Sequence, residues 1–312
     1  MRIVFIGTGE IGVPVLRGLL HSRNHELVGV VTQPDRPVGR AQHLQAPPIK
    51  EELRKTSVPI LQPGRIRKEE SVAQIRALAP EVIVVMAYGQ ILPTSVLEIP
   101  TIACLNLHAS LLPRHRGAAP IQAAIVAGDS ETGITVMYMD AGLDTGDILL
   151  QRTLAILPND TGGSLHDRLA QLVPDALRDA LAQLAEQTAP RRPQNATEAS
   201  YAPKLTREAG KIDWSEPAET IERKIRAFDP WPGAFTQLTD PVGKTCHLKI
   251  FRATVDNTLS GAPGTLTTPG DSELRVATGR GALRLEEVQR EGKRRMAAAE
   301  FLRGFSSPSA FF

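Results

Sequence analysis

The first half of the chain alternates short, wholly apolar runs with longer segments of helical periodicity. Strands buried on both faces of a parallel sheet read as continuous apolar runs, so this alternation predicts a β-α-β series. The fold class that follows is an α/β, Rossmann-like N-terminal domain with a mostly parallel sheet. The predicted strands are Ile3–Ile6, Leu27–Val31, Val82–Met86 and Ile102–Leu107, and the predicted helices are Ile11–Leu20, Pro48–Lys55, Glu69–Ala79 and Ala119–Ala127.

The pattern changes in the second half of the chain. Two further strands, Ile134–Met139 and Ile148–Ala155, precede a helix at Leu165–Leu184, for which Ser164 is the expected N-cap. A Pro-rich stretch, roughly Thr188–Pro203, predicts an exposed linker. We therefore expect a catalytic domain at residues 1–187, a linker at 188–206, and a small OB-like β-barrel at 207–312. Beyond the linker we predict one helix at Pro217–Phe228 and strands at Ala234–Leu238, Cys246–Ala253, Gly264–Thr267, Leu274–Ala277 and Leu283–Val288.

Composition limits the cellular compartments and the classes of partner that this chain can have. No apolar run approaches the roughly 18–20 residues that a membrane span needs, and the N-terminus does not read as a signal peptide. The two cysteines, Cys104 and Cys246, fit a reducing cytoplasm and predict neither a disulfide framework nor a metal site. The net charge of +2 excludes a global basic field, so any RNA contact must come from local patches.

Three glycines near the N-terminus, Gly7, Gly9 and Gly12, complete the G-x-G-x-x-G pattern of dinucleotide-binding folds. Such folds place an acidic residue at the end of the second strand, about 20 positions further on, to bind the ribose. Thr32 stands near that place here, and Asp35 follows only after a proline has ended the strand. We therefore expect no NAD, and interpret the glycines as the requirement of a sharp strand-to-helix turn.

The residues that best predict a catalytic site lie at the end of the fourth predicted strand. Asn106 and His108 are two positions apart, so their side chains share one face at the carboxyl end of a strand, where open α/β sheets place their active sites. A later loop supplies Asp140, Asp144 and Asp147, and a carboxylate beside His108 would fix its tautomer and favour its charged form. Each residue alone also has a structural interpretation, as a hydrogen-bonded strand end or a turn.

Two of these motifs resemble the formyltransferase family that uses 10-formyltetrahydrofolate. One is Asn106-Leu-His108-Ala-Ser110-Leu-Leu-Pro113 with Arg116-Gly117, and the other is GLDTGD at residues 142–147. Three further stretches resemble the members of that family that formylate initiator methionyl-tRNA: TQPDRPVGR (32–40), PIQAAIVAGDSETGIT (120–135) and IRAFDPWPGAF (225–235). The family's first turn more often reads Gly-Thr-Pro and holds no dinucleotide.

The resemblance implies roles for particular residues. Asn106 and His108 would donate to the oxyanion, and Asp144 would orient His108 and help a proton reach the folate. The folate would lie against Ser110, Leu111, Leu112 and Pro113, and near Met86, Tyr88, Ile91 and Asp140. Met86, Tyr88 and Ile91 are equally interpretable as core residues. Arg36 and Arg40 would contact the tRNA, with a second surface at Lys244, Lys249, Arg252 and Lys293–Arg295. We expect a monomer that uses 10-formyltetrahydrofolate as co-substrate, without metal, NAD or membrane.

Four alternatives remain at this point. A folate-dependent sugar N-formyltransferase would share the catalytic motifs but would not need the arginines at 36 and 40. A glycinamide ribonucleotide formyltransferase would not need the hundred residues beyond the linker. An NAD-dependent oxidoreductase would depend on the three glycines alone. A non-enzymatic RNA-binding module would leave the grouping of Asn106, His108 and Asp144 unexplained.

Overall fold

The computed structural model describes residues 1–39, 42–239, 245–267, 273–303 and 311. In chain order the strands are β1 Arg2–Gly7, β2 Glu26–Val31, β3 Arg36–Val38, β4 His43–Gln45, β5 Ile60–Leu61, β6 Val82–Met86, β7 Ala103–His108, β8 Arg116–Gly117, β9 Glu131–Tyr138, β10 Ile148–Ala155, β11 Tyr201–Ala202, β12 Ala234–Thr239, β13 Thr245–Asp256, β14 Leu266–Thr267, β15 Leu274–Ala277, β16 Ala282–Arg290 and β17 Met296–Ala297. The α-helices are α1 Val13–Leu20, α2 Pro48–Glu52, α3 Glu69–Ala77, α4 Thr94–Leu97, α5 Pro120–Ala127, α6 Gly162–Ala185, α7 Ala218–Ala227 and α8 Ala298–Arg303.

The chain forms two compact units. The first comprises residues 1–120, 131–155 and 166–202, and the second comprises residues 121–130, 156–165 and 203–312. The chain therefore enters the second unit twice before residue 203. The linear domain boundaries expected at residues 187 and 207 stay a prediction. Within the described part of the chain, no helix has both the length and the apolar character that crossing a membrane requires.

The first unit is built on a seven-stranded sheet with the strand order β10-β9-β7-β6-β1-β2-β5. Strands β1, β2, β5, β6 and β7 are parallel, and β9 and β10 join antiparallel beside β7. Every residue of β6 is buried, as expected for a strand covered on both faces. The predicted Rossmann-like, mostly parallel sheet is confirmed. Its parallel strands bring Gly7, Met86 and His108 to one edge of the sheet, the carboxyl edge. Open α/β sheets bind their ligands at this edge.

The N-terminal glycines are required by packing around Phe5. A Cβ atom on Gly7 would lie 2.7 Å from the Phe5 ring and 2.9 Å from the carbonyl oxygen of Met86, closer than real Cβ contacts. A Cβ atom on Gly12 would lie 3.1 Å from the same ring. Gly9 would make only an ordinary contact, at 3.5 Å from the Cβ of Ala87. Two of the three glycines thus allow the first turn to close over a buried aromatic side chain.

Helix α6 begins before the predicted position. Thr161, not Ser164, is its N-cap: the Thr161 hydroxyl accepts from the Ser164 backbone N–H at 3.1 Å, and the Ser164 hydroxyl accepts from the Thr161 N–H at 2.9 Å. The prediction of Ser164 as N-cap is wrong, because two hydroxyl residues three positions apart form a reciprocal pair in which Ser164 takes the third helical position. The two glycines between them conceal this start in the sequence.

Residues 192–202, which we call the strap, were predicted to be part of an exposed linker. Within the first unit the strap is instead hydrogen-bonded along its length. Arg192 and Ile148 exchange two backbone hydrogen bonds of 3.0 and 2.8 Å, and β11 pairs in parallel with β8. Proline and small polar residues predicted exposure correctly, but they gave no indication of the strand pairing at Tyr201 and Ala202.

The second unit contains a sheet with the order β12-β13-β16-β15-β14, and β17 pairs with β16. All of these pairings are antiparallel. The C-terminal part is therefore an antiparallel β-domain, as the predicted small OB-like fold requires. Ile221 and Ile225 of α7 belong to the core that covers the sheet. Trp214 stacks on Phe311 with 5.8 Å between ring centroids, and its indole N–H donates to the Thr236 hydroxyl at 3.0 Å. Phe311 is therefore anchored in this core.

Candidate active site

Strand β7 places Asn106 and His108 on one face, as the two-residue spacing predicts. His108 lies opposite Thr135 of β9 in the ladder, and Asn106 lies between Val85 and Met137. Both side chains therefore stand at the carboxyl end of β7, at the point where the parallel part of the sheet meets its antiparallel edge. At Asn106, strand β7 pairs with a neighbouring strand on each side.

Asp144 joins these two residues from the loop between β9 and β10. Its Oδ1 atom accepts from Asn106 Nδ2 at 3.3 Å, and its Oδ2 atom lies 3.7 Å from His108 Nδ1. Oδ2 also accepts from the backbone N–H of Gly117 at 2.8 Å. The side chains of His108 and Asp144 are 7% and 13% exposed, so water screens this charge poorly. The structure brings together the three residues that sequence analysis singled out.

The contacts of His108 assign its neutral tautomer. Its Nε2 atom lies 2.9 Å from the backbone carbonyl oxygen of His115. A carbonyl oxygen only accepts, so Nε2 carries the hydrogen and donates. In the neutral ring the lone pair is then on Nδ1, the atom that faces Asp144. The ring therefore has one nitrogen available for proton transfer, and that nitrogen is Nδ1.

The turn at residues 110–113 is held by Thr135, whose side chain is fully buried. The Thr135 hydroxyl donates to the Ser110 carbonyl at 2.6 Å and accepts from the Leu112 N–H at 3.1 Å. Gln151 Nε2 donates to the Leu112 carbonyl at 2.9 Å. Ser110 is itself buried, and its hydroxyl donates to the Arg114 carbonyl at 2.7 Å. The side chain of Leu112 is also buried, in a cluster with Met137 and Ile148, while Leu111 and Pro113 are half-buried.

Three residues at the end of β6 and just after it, Met86, Tyr88 and Ile91, were predicted to lie near a folate, and their environments differ. Met86 and Tyr88 are 1% and 3% exposed, so their side chains belong to the core of the first unit. Burial raises the pKa of Tyr88 to about 12. Ile91 is 87% exposed and is the one of the three whose side chain a ligand reaches without rearrangement.

Asp140 lies in the loop before Asp144 and is exposed. Its carboxylate accepts from the Gly142 N–H at 3.0 Å and from the Thr145 hydroxyl at 2.8 Å. These contacts close the loop that carries Asp144. The Asp140 carboxylate therefore bonds to one residue on each side of Asp144.

The arginines predicted to contact tRNA belong to a loop that the structure describes in part. Arg36 opens a short hairpin formed by β3 and β4, is exposed, and donates to the Gln33 side-chain carbonyl at 3.1 Å. Arg40 and Lys244 lie outside the described residues. In the second unit, Arg252, Arg294 and Arg295 each pair with a glutamate, which lowers the net charge of that surface.

Sequence reasoning missed several groups that hold His108, Asp144 or the turn at residues 110–113. These groups are the carbonyl of His115, the N–H of Gly117, the hydroxyl of Thr135 and the side chains of Gln194 and Ser200. Thr135 could have been found from its place opposite His108 once the strands were paired. Gln194 and Ser200 carried no signal, because they lie in a stretch whose composition predicts a linker. Among the described residues, no group of three or more His, Cys, Asp and Glu side chains is arranged to hold a metal ion.

Comparison with known families matches both parts of the chain. Residues 1–181 match the formyl transferase family, and residues 204–306 match the formyl transferase C-terminal domain. The chain is also 47% identical over 305 residues to a methionyl-tRNA formyltransferase of Akkermansia muciniphila, and the match covers 97% of this chain and 96% of that protein.

Two solved structures share the fold at low sequence identity. A methionyl-tRNA formyltransferase from Clostridium thermocellum superimposes with a TM-score of 0.56 at 21% identity, covering 83% of this chain and 95% of that one. An N-formyltransferase from Helicobacter canadensis, solved with folinic acid and dTDP-3-aminofucose, superimposes with a TM-score of 0.64 at 18% identity, covering 92% and 98%. At these identities the likeness establishes the architecture and not the acceptor.

Proposed function

Because this chain belongs to the methionyl-tRNA formyltransferases of the formyl transferase family, we propose that it transfers a formyl group from 10-formyltetrahydrofolate to the α-amine of initiator methionyl-tRNA. The single observation that carries the proposal is the convergence of Asn106, His108 and Asp144 at the carboxyl edge of the sheet. This set contains an amide donor, a ring nitrogen with a free lone pair, and a carboxylate.

The reaction needs a donor for the oxyanion and a base for the amine. The amine attacks the formyl carbon, a C–N bond forms, and the carbonyl electron pair moves to the oxygen. One N–H of the Asn106 amide donates to Asp144, which leaves its second N–H for that oxygen. Preorganised donors of this kind act strongly in a site with little water.

His108 Nδ1 is the proposed base, because the other ring nitrogen donates to the His115 carbonyl. It takes the proton that the attacking amine must lose. The imidazolium that forms faces Asp144, whose carboxylate stabilises the charge. When the bond to N10 breaks, the same proton is returned to N10, directly or through a water, so that the folate leaves neutral at that atom.

The folate is proposed to lie beside this centre, against the residues that the family resemblance names. A flat pterin requires an apolar slot with backbone donors and acceptors. The turn at residues 110–113 lies beside His108, and the exposed side chain of Ile91 and the backbone of residues 139–143 supply apolar surface and polar groups. Met86 and Tyr88 contribute through the backbone, because their side chains are buried. Asp140 contributes in the same way.

The hairpin of β3 and β4 is the proposed tRNA-binding segment. Arg36 is exposed there, and arginine suits contacts with phosphates and base edges. With Arg40 it would supply the local positive charge that the chain as a whole does not have. Phosphate contacts of this kind make affinity fall steeply as salt rises. A monomer without metal or NAD remains the expectation from sequence.

The test is formyl transfer from 10-formyltetrahydrofolate with two acceptors, initiator methionyl-tRNA and a UDP-amino-sugar. Formylation of the tRNA that His108→Ala abolishes, and that Arg40→Ala weakens through the KM for tRNA, is the expected result. Asn195→Ala is the matched control, since among the described residues the Asn195 side chain bonds to its own turn at Thr197 and Glu198. Formylation of the sugar alone would overturn the acceptor assignment, and absence of transfer to both would overturn the reaction.

A further inference from the structure

The side chain of Gln194, in the strap, is fully engaged with the catalytic loops of the first unit. Its Oε1 atom accepts from Arg116 Nε at 3.1 Å and from an Arg116 Nη atom at 2.7 Å. Its Nε2 atom donates to the backbone carbonyls of Asp144 at 2.9 Å and Gly146 at 2.8 Å. A glutamine amide has two N–H donors and one carbonyl acceptor, so every group of this side chain is used.

These bonds close a ring around Asp144. Arg116 is followed by Gly117, whose N–H donates to the Asp144 carboxylate, while Gln194 holds the Asp144 backbone. Asp144 has a φ angle of +52°, in the left-handed region that non-glycine residues seldom adopt. Such a conformation persists when the surroundings determine it, and Gln194 Nε2 holds the carbonyls of Asp144 and Gly146 on either side of Thr145.

The strap is itself fixed to the same unit at both ends of Gln194. Arg192 pairs with Ile148 on one side, and on the other the Ser200 hydroxyl accepts from the His115 N–H at 2.9 Å. His115 is the residue whose carbonyl accepts from His108 Nε2. The strap therefore contacts the supports of both Asp144 and His108 without contacting either side chain.

We propose that Gln194 is a positioning residue, which acts on the reaction by holding the Asp144 backbone so that its carboxylate faces His108 and Asn106. This inference rests on the proposed function, because it assigns Gln194 a role through Asp144. Sub-ångström placement of a charged group governs the rate of a transfer step, and a shift of about 1 Å costs roughly 100-fold.

The experiment distinguishes the oxygen of the Gln194 amide, which accepts from Arg116, from its nitrogen, which donates to the loop of Asp144. In Gln194→Glu the carboxylate still accepts from Arg116, now as an ion pair, but an acceptor replaces the donor that faces the Asp144 and Gly146 carbonyls. We expect the kcat for formyl transfer to methionyl-tRNA to fall about 10- to 100-fold, with KM for both substrates changed by less than about twofold. A merely structural glutamine predicts a kcat close to that of the wild type, because the bond to Arg116 is kept.

A double-mutant cycle with Asp144→Asn gives a readout that loss of stability does not move. If Gln194 acts through Asp144, Gln194→Glu changes the residual kcat of the Asp144→Asn enzyme by less than about twofold. Should Gln194→Glu fail to fold, Gln194→Met removes all four bonds with an uncharged side chain of similar size and enters the same cycle. Asn195→Ala, one residue further along the strap, is the control and keeps kcat.

The outcomes distinguish this inference from the proposed function. A low kcat in Gln194→Glu together with a non-additive cycle supports the positioning role. Full activity in Gln194→Glu, or effects that multiply in the double variant, overturns it while the chemistry of Asp144 stands. Full activity in Asp144→Asn itself overturns the proposed role of Asp144, and with it the inference.

Discussion

The backbone N–H of Gly117 donates a 2.8 Å hydrogen bond to Oδ2 of Asp144, so a glycine in β8 helps to orient a carboxylate 27 positions further along the chain. Gly117 has a φ angle of +114°, and a Cβ atom there would lie 2.6 Å from the carbonyl oxygen of Ala202. The close approach of β8 and β11 therefore depends on the absence of a side chain at this position.

Gly117→Ala tests that dependence. We expect the pairing of β8 with β11 to open and kcat to fall at least about 10-fold, because the N–H moves away from Asp144. The midpoint of urea denaturation should also fall by more than in Gly292→Ala. Gly292 also has a positive φ angle, of 72°, and its Cβ would meet nothing within 4 Å, so Gly292→Ala measures the cost of a side chain at positive φ without a steric clash. Equal effects of the two substitutions would show that the β8–β11 contact is unimportant.

Asn106→Ala removes the amide proposed to donate to the oxyanion. Loss of one such donor costs about 100- to 1000-fold in kcat, and we expect a fall in that range with the protein still folded. Steady-state formyl transfer and thermal unfolding followed by circular dichroism measure the two quantities. A kcat within a few-fold of the wild type would remove Asn106 from the mechanism.

Thr135→Val tests the support of the turn at residues 110–113. The substitution keeps the shape of the side chain but leaves the buried Leu112 N–H and Ser110 carbonyl without their hydroxyl partner. An unsatisfied buried group costs about 1–3 kcal/mol, so the free energy of unfolding of the first unit should fall by that order. Thr135→Ser keeps the hydroxyl and should recover most of the loss. A valine variant as stable as the wild type would show that the Thr135 hydroxyl does not stabilise this turn.

The glycine pattern at the N-terminus can be tested one position at a time. Gly7→Ala forces a Cβ atom against the Phe5 ring and should destabilise the protein by about 1–3 kcal/mol, as overpacking does. Gly9→Ala meets only an ordinary contact and should leave stability unchanged or slightly higher. In the same preparation, titration with NADH should give no saturable change in its fluorescence. Saturable binding that Gly9→Ala removes would restore the dinucleotide interpretation.

Stability should fall at alkaline pH. Burial raises the pKa of the Cys104 thiol to about 12 from an ordinary value of 9.0, and raises the pKa of Tyr88 to about 12 from 10.0. The folded state therefore keeps protons that the unfolded state has released. The stabilisation that these two groups contribute is fully present below pH 9. It is lost as pH rises toward 12, by up to about 1.4 kcal/mol per pH unit for each group. Urea denaturation at pH 8 to 11 measures this slope, and Cys104→Ala should reduce it. An identical slope in the variant would exclude Cys104 as a cause.

The sheet and the pairing of Asn106 with His108 in the candidate site were predictable from local patterns for a physical reason. Continuous apolar runs reveal strands that are covered on both faces, and the two-residue period places Asn106 and His108 together without any knowledge of tertiary structure. The role of Asp144 was predicted from the resemblance of GLDTGD to the family motif and not from strand order, because β9 runs antiparallel to β7 and does not end at the carboxyl edge.

The parts that sequence reasoning missed depend on contacts between distant segments. The strap is one example, because strand pairing over two residues leaves no periodicity in the sequence. The N-cap of α6 is another, since Thr161 and Ser164 both have a capping side chain and only the geometry distinguishes them. The burial of Met86 and Tyr88, in contrast to Ile91, is likewise a property of the folded neighbours and not of the residue types.

The strap also determines where this chain can be recombined with another. A designer guided by composition would join a new C-terminal module near residue 188, where the Pro-rich stretch begins. Such a fusion would discard Gln194, Ser200 and β11, and with them the contacts that hold the loops of the first unit. A fusion that keeps these contacts must retain the chain through Ala202, so the segment that looks like a spacer has to be inherited with the residues that precede it.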